Sequence, residues 1–154
     1  MEQTMIKTEN LSKRFGSFAL QDIHFDLPAG YICGLVGENG AGKTTLLNIM
    51  AGLYEYDGTI SIQEKEYRTN QMELQQEIGF VFHEEWFDDW DSLIANSRHY
   101  GKYYKNYDEA LLKTYFKRFR LEEKKKYKKL SKGEKLKFAF AFALAHHPKL
   151  LLLD

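Results

Sequence analysis

The sequence predicts an α/β fold, strand-rich towards its N-terminus and helix-rich in its second half, and three observations carry that prediction. An apolar stretch, Tyr31 to Val36, runs into a glycine-rich loop and then into leucines at helical spacing. Isoleucines alternate with polar residues at Ile60 and Ile62. The closing PKLLLLD sets four leucines between Pro148 and Asp154, the pattern of a short strand enclosed on both faces.

Each element follows from local pattern. Phe18, Leu20, Ile23, Phe25 and Leu27 lie in an apolar and polar mixture that ends at the turn Pro28-Ala29-Gly30. Tyr31 to Val36 then reads as a buried strand, which makes Cys33 a buried core thiol. Leu46, Ile49, Met50 and Leu53 recur at helical spacing with Gly52 near the stop. Gly58 to Tyr67 is expected to be a half-exposed strand, and Gly79 to Phe82 another. From Leu93 to Tyr127 the chain turns rich in Lys, Glu and Tyr with helical periodicity at Leu111, Leu112, Tyr115, Phe116 and Phe119. These residues predict a helical insertion over 93–130 within a single domain, 1–154. The run EEKKKYKK, Glu122 to Lys129, reads as a solvated helix end. Leu136 to Ala145 alternates bulky residues with alanine, which by pattern favours a strand, but its length and alanine content favour a helix buried nearly all round.

Composition narrows the function classes. With 44% hydrophobic and 15% aromatic residues, 154 residues suffice for one core. Lys plus Arg equals Asp plus Glu at 22 each, so no global basic field argues for nucleic acid. The longest uninterrupted apolar run, Phe138 to Ala145, is eight residues, well short of the roughly 20 that a spanning helix needs. The N-terminal stretch to Phe15 is polar and lacks a hydrophobic signal core, so a cytoplasmic location is expected.

Gly37 to Thr45 reads GENGAGKTT, which fits G-x-x-x-x-G-K-[ST] through Gly37, Gly42, Lys43 and Thr44. A buried strand before it and an amphipathic helix after it would let backbone N–H groups curl around phosphate oxygens at a helix N-terminus. Glycines at 37, 40 and 42 allow close approach. Lys43 supplies a cation to the β and γ phosphates, and the Thr44 hydroxyl a ligand to Mg²⁺. Gly37, Asn39, Gly40, Ala41, Gly42, Lys43, Thr44 and Thr45 are the expected nucleotide-binding loop residues.

Further along, Leu130 to Glu134 reads LSKGE, followed by a helix, Pro148 and LLLLD. That order of phosphate loop, LSGGQ-like signature and apolar strand ending in Asp resembles the ATP-binding domain of ABC transporters over essentially the whole chain, and the resemblance implies a P-loop NTPase (RecA-like) core with an N-terminal antiparallel β subdomain and a helical insertion. Within the family it is most similar to bacterial subunits that pair with a separate permease of the ABC-2 type. The resemblance implies that Phe15, in SKRFG, stacks on adenine, although a core phenylalanine is the other reading. It implies that Asp154 occupies the Walker B position and holds Mg²⁺ on a central strand beside the phosphate-loop strand. Ser131 and Gly133 match signature residues that contact ATP bound to a second nucleotide-binding domain, so two chains would meet head to tail.

The chain departs from LSGGQ at Lys132 and Glu134, and an ionised carboxylate only accepts hydrogen bonds. A plain helix N-cap would also place serine at 131. In IGFVFHEEWF the family usually has glutamine where this chain has His83, with Glu84 and Glu85 as other oxygen donors and a surface histidine as the unliganded reading. Trp86 and Trp90, one helical turn apart, would line a groove for a permease helix or simply pack.

The resemblance further implies a water-polarising glutamate directly after the Walker B aspartate and a histidine that senses the γ-phosphate, both beyond position 154. The C-terminal part of the core is thus expected to be missing, and hydrolysis by these residues alone weak or absent. The function expected of the parent is that of an ATP-binding subunit coupling ATP, with Mg²⁺, to transport through a membrane permease, peripheral at the inner face of the membrane. A soluble, non-transport ABC ATPase and a non-catalytic ATP-binding fragment are the alternatives. No nucleic-acid partner is expected.

Overall fold

The computed structural model describes residues 3–82 and 86–154. They form two compact units, Met1–Gln75 and Gln76–Asp154, each described by itself.

In the first unit, β1 (Thr4–Phe15) and β2 (Phe18–Pro28) form an antiparallel hairpin, and β3 (Asp57–Ile62) and β4 (Lys65–Glu66) extend it to the order β2-β1-β3-β4. β1 is the element that its polar sequence conceals. Ile6 and Leu11 are buried in it, as is Thr8, whose hydroxyl bonds the backbone of Ile23 and Phe25. Pairing of Ile6 with Ile62 and Thr8 with Ile60 brings two buried isoleucines over one face, as the alternation in β3 requires. The helix α1 (Lys43–Met50) buries Leu46, Leu47, Ile49 and Met50, and the short α2 (Gln71–Gln75) buries Leu74.

The predicted strand Tyr31 to Val36 is corrected: residues 31–38 join no ladder among the described residues, and Ile32 and Val36 are almost fully exposed. Cys33 is exposed with them, not buried. The reason lies in what holds a strand. Its backbone groups need neighbours on the sheet, and the four-stranded sheet of this unit closes without this segment. Apolar pattern marks what can be enclosed, not what encloses it.

In the second unit, β5 (Ile78–Val81) pairs in parallel with β6 (Leu150–Leu153), from Ile78 opposite Leu150 to Val81 opposite Leu153. β6 is less enclosed than four leucines suggested: Leu152 is buried and Leu153 exposed. Three helices follow the expected order, α3 (Leu93–Gly101), α4 (Glu109–Phe119) and α5 (Lys132–Leu144). Their shared core joins Leu93, Leu112, Phe116, Tyr127 and Phe138. Phe87 packs into it, 4.6 Å from the Phe138 ring centroid and 5.4 Å from that of Phe142.

Side-chain entry into the core is set by caps as much as by pattern. Ser92 and Asp108 accept from the amides of Ala95 and Leu111, satisfying orphan donors at the starts of α3 and α4. The residues of EEKKKYKK do not continue a helix: a loop leads into a 3-10 turn at Tyr127–Lys129, because Tyr127 drops into the core while the lysines around it stay out. α5 is a helix, as expected, but Leu136 near its start is exposed, and enclosure holds only from Phe138 onward. Trp86 and Trp90 lie outside any helix and are exposed, with the Lys128 ammonium 3.0 Å from the Trp90 ring centroid.

Candidate functional site

The turn at Asn39 and Gly40 feeds directly into α1 through Gly42. Gly40 (φ +84°) and Gly42 (φ +98°) both take the left-handed region, which lets the chain reverse and enter the helix without an L side chain in the way. Ala41 N–H donates to Glu38 O at 3.1 Å, closing the turn. Helical bonding begins where Leu46 N–H donates to Gly42 O at 2.9 Å, so the amides of the first turn are not used by the helix ladder and face its positive end. An anion is the natural occupant of such a terminus.

Lys43 folds back over the loop, its Nζ donating to Gly37 O at 2.7 Å and Glu38 O at 2.8 Å. The ammonium is thereby held above the concave side of the loop. A cleft of about 460 Å³ opens there, lined by Phe18, Asn39, Gly40, Gly42, Lys43, Thr44 and Thr45. Six of these seven belong to the predicted loop, so the structure brings that part of the expectation together. The donor set suits a polyphosphate: a cation, first-turn amides and two threonine hydroxyls. Thr44 is exposed in the first turn, and a hydroxyl is the kind of oxygen ligand that suits a hard cation that also binds phosphate oxygens.

Phe18 is the lining residue that sequence reasoning passed over. Its signal was present, since Phe18 and Leu20 share one face of β2 at period two, and both lie beneath Gly42. Phe15, the aromatic expected to stack on a base, ends β1 directly opposite Phe18, is 38% exposed and does not line the cleft.

The remaining expected residues belong to the second unit. Ser131 is the N-cap of α5, its hydroxyl accepting from Glu134 N–H at 3.2 Å while Ser131 N–H donates to the Glu134 carboxylate at 2.8 Å. Glutamine would complete the same reciprocal capping box, so what distinguishes Glu134 is its charge. Lys125 also binds the Glu134 carboxylate at 2.8 Å. Lys125, then the Ser131 amide, hold the Glu134 pKa down at about 2. Gly133 sits in the exposed first turn of α5, with nothing within 4 Å of where a side chain would begin. Asp154 stands exposed at the carboxyl end of β6, where its N–H donates to Val81 O at 3.0 Å. His83, with Glu84 and Glu85, lies outside the described residues.

A depressed carboxylate pKa fixes the sign of a pH effect. The folded state holds Glu134 ionised, so its contribution is complete above the unfolded value near 4.5 and disappears as pH falls through about 2. Glu134→Gln keeps a capping oxygen but removes the charge. The stability gap between wild type and this variant, measured by urea unfolding, is expected to be widest above pH 4.5 and to close towards pH 2. A gap independent of pH would refute the assignment. Ser131→Ala, by loss of the cap alone, is expected to cost about 1 kcal/mol.

A sequence model of the ABC transporter family matches residues 20–154. The chain is 34% identical to the sulfate/thiosulfate import ATP-binding protein CysA of Bacillus cereus over 97% of its own length and 44% of that relative's. It is 33% identical to the bacitracin transport ATP-binding protein BcrA of Bacillus licheniformis, over 98% of the chain and 51% of the relative. Among solved structures, an ATP-binding subunit of an ABC transporter superposes with a TM-score of 0.86 at 25% identity, covering 98% of this chain and 66% of that one. The cbiO1 protein of Clostridium perfringens, part of the ABC transporter complex cbiONQ, gives 0.79 at 26%, covering 99% and 66%. The chain thus spans about half the length of the curated relatives it matches.

Proposed function

The chain belongs to the ABC transporter family, and from that membership we propose that it is the nucleotide-gripping part of a subunit that couples ATP binding and hydrolysis to transport through a separate membrane permease. The observation that carries this reading is the loop Gly37–Thr45, where two left-handed glycines, a helix N-terminus and the Lys43 ammonium converge on one cleft.

In this reading the first-turn amides of α1 and Lys43 bind the β and γ phosphates, Lys43 exchanging its two carbonyl partners for phosphate oxygens. The resemblance assigns Mg²⁺ ligation to Thr44 and to Asp154, each of which would offer an oxygen, and the ion when bound would neutralise charge on the phosphates. Ser131 and Gly133 approach ATP held by a second nucleotide-binding domain arranged head to tail. Gly133 is suited to that task because its exposed first-turn backbone carries no side chain, and Ser131 because its cap orients it at the helix start. His83 takes the position of the family's glutamine. The helical segment 93–130 is an insertion in one nucleotide-binding domain.

Near-background turnover by residues 1–154 alone rests on the resemblance, which puts the water-polarising glutamate beyond them. The relatives named for import and transport support a permease partner and a peripheral position on the inner face of the membrane. None of the helices among the described residues is long and apolar enough to cross a membrane. The test is fractionation of the full-length protein expressed with and without a candidate permease of several spans. Recruitment to membranes only with the permease is the expected result; a soluble protein in both cases contradicts the coupling role.

A further inference from the structure

We propose that Lys125 is a positioning residue for the first turn of α5, cancelling the Glu134 charge so that Ser131 and Gly133 can meet the polyphosphate of a nucleotide held by a second copy of the chain. The inference rests on reading Ser131 and Gly133 as contacts to that nucleotide. The need for Lys125 comes from two conflicting demands on position 134.

For the helix, an anion there is favourable. Glu134 is the third residue of α5, where one carboxylate oxygen, Oε2, accepts from Ser131 N–H at 2.8 Å and the charge faces the positive end of the helix. For a phosphate ligand the same anion is adverse. A carboxylate only accepts hydrogen bonds, as phosphate oxygens do, and like charges close together repel.

Lys125 is placed to resolve the conflict. Its Nζ donates to Glu134 Oε1 at 2.8 Å, the oxygen that the Ser131 amide does not use. The backbone fixes Lys125 there from both sides: its N–H donates to Glu122 O at 3.0 Å, and its carbonyl accepts from Leu93 N–H at 3.1 Å at the start of α3. The paired side chains are only 28% and 29% exposed, so solvent ions screen them in part. Lys135, the next lysine along α5, is directed elsewhere, its ammonium 4.8 Å from the Tyr127 ring centroid. With the Lys125–Glu134 pair neutral, the exposed Lys132 leaves the turn of Ser131 and Gly133 net positive.

The test is nucleotide-dependent dimerisation of the full-length protein, followed by sedimentation with Mg²⁺-AMP-PNP at low and high salt, in wild type, Lys125→Ala, Glu134→Gln and the double variant. A partly exposed ion pair contributes little to folding, so each variant is expected to stay folded. Lys125→Ala leaves the Glu134 charge unpaired and is expected to need about tenfold more nucleotide for half-dimerisation at low salt, with the difference shrinking at high salt. The double variant, neutral like the wild-type pair, is expected to return to the wild-type concentration, and Glu134→Gln alone to need no more than wild type. Lys125→Ala that dimerises as wild type does, or a loss that neither Glu134→Gln nor salt relieves, would overturn the proposal, the latter by reducing Lys125 to support of the helix start. Wild type that binds the nucleotide but stays monomeric would instead overturn the reading of Ser131 and Gly133 beneath it, and the proposal with it.

Discussion

Lys43→Ala is expected to lower the affinity for Mg²⁺-ATP by about a hundredfold. The ammonium is placed over the loop by two carbonyls, Gly37 O and Glu38 O, at the edge of a cleft otherwise furnished with neutral donors. Hydrogen bonds to a charged group contribute about 1.5–3 kcal/mol each, and two to phosphate oxygens account for the hundredfold figure. Folding should change little, since both carbonyls lie in an exposed loop and water replaces the ammonium there. Fluorescent-nucleotide titration beside a thermal melt separates the two effects. Equal affinity in mutant and wild type would remove Lys43 from the site.

Gly42→Ala is expected to damage both stability and binding. At φ +98° an L residue is strained by roughly 1–2 kcal/mol. The added methyl would also fall 2.6 Å from Leu20 Cδ2 and 2.8 Å from Phe18 Cζ. Leu20 is buried, so it yields only by disturbing the core of the first unit, an overpacking cost of about 1–3 kcal/mol. If the loop moves instead, the first-turn amides of α1 lose their common focus. Urea unfolding is expected to show a loss of about 2–5 kcal/mol, with ATP affinity lowered at least tenfold in whatever protein remains folded. Wild-type stability together with wild-type affinity would mean that the glycine is incidental.

These two residues were legible in the sequence because their chemistry is local. A glycine and a lysine fixed in spacing to a helix start declare a loop geometry that needs no distant partner. The same holds for Ser131, where S-x-x-E before an apolar run is itself the capping signal, and Glu134 completes it. What failed was non-local. Tyr31 to Val36 has the residues of a buried strand, but its state depends on neighbours that no pattern within six residues specifies, and in the structure its side chains and Cys33 stand exposed.

β1 failed in the opposite direction, its polar residues hiding a strand because only Ile6, Thr8 and Leu11 turn inward. A buried threonine breaks the apolar alternation while its hydroxyl finds backbone partners across the hairpin. Phe18 was passed over because a motif search looks along the chain, whereas the cleft is completed by a strand residue that precedes the loop by more than a dozen positions. Tyr127 shows the same limit, a buried core ring inside a run of lysines that reads as solvent-facing.

In the proposed function, the loop from Gly37 to Thr45 grips the phosphates of a nucleotide through backbone amides and Lys43. The most direct measurement of that grip is an amide ¹H–¹⁵N spectrum of the chain titrated with Mg²⁺-ATP. The largest shifts are expected on Gly40, Gly42, Lys43, Thr44 and Thr45, and Lys43→Ala is expected to suppress them at the same nucleotide concentration. Saturable shifts centred elsewhere, with these five amides unmoved, would contradict it.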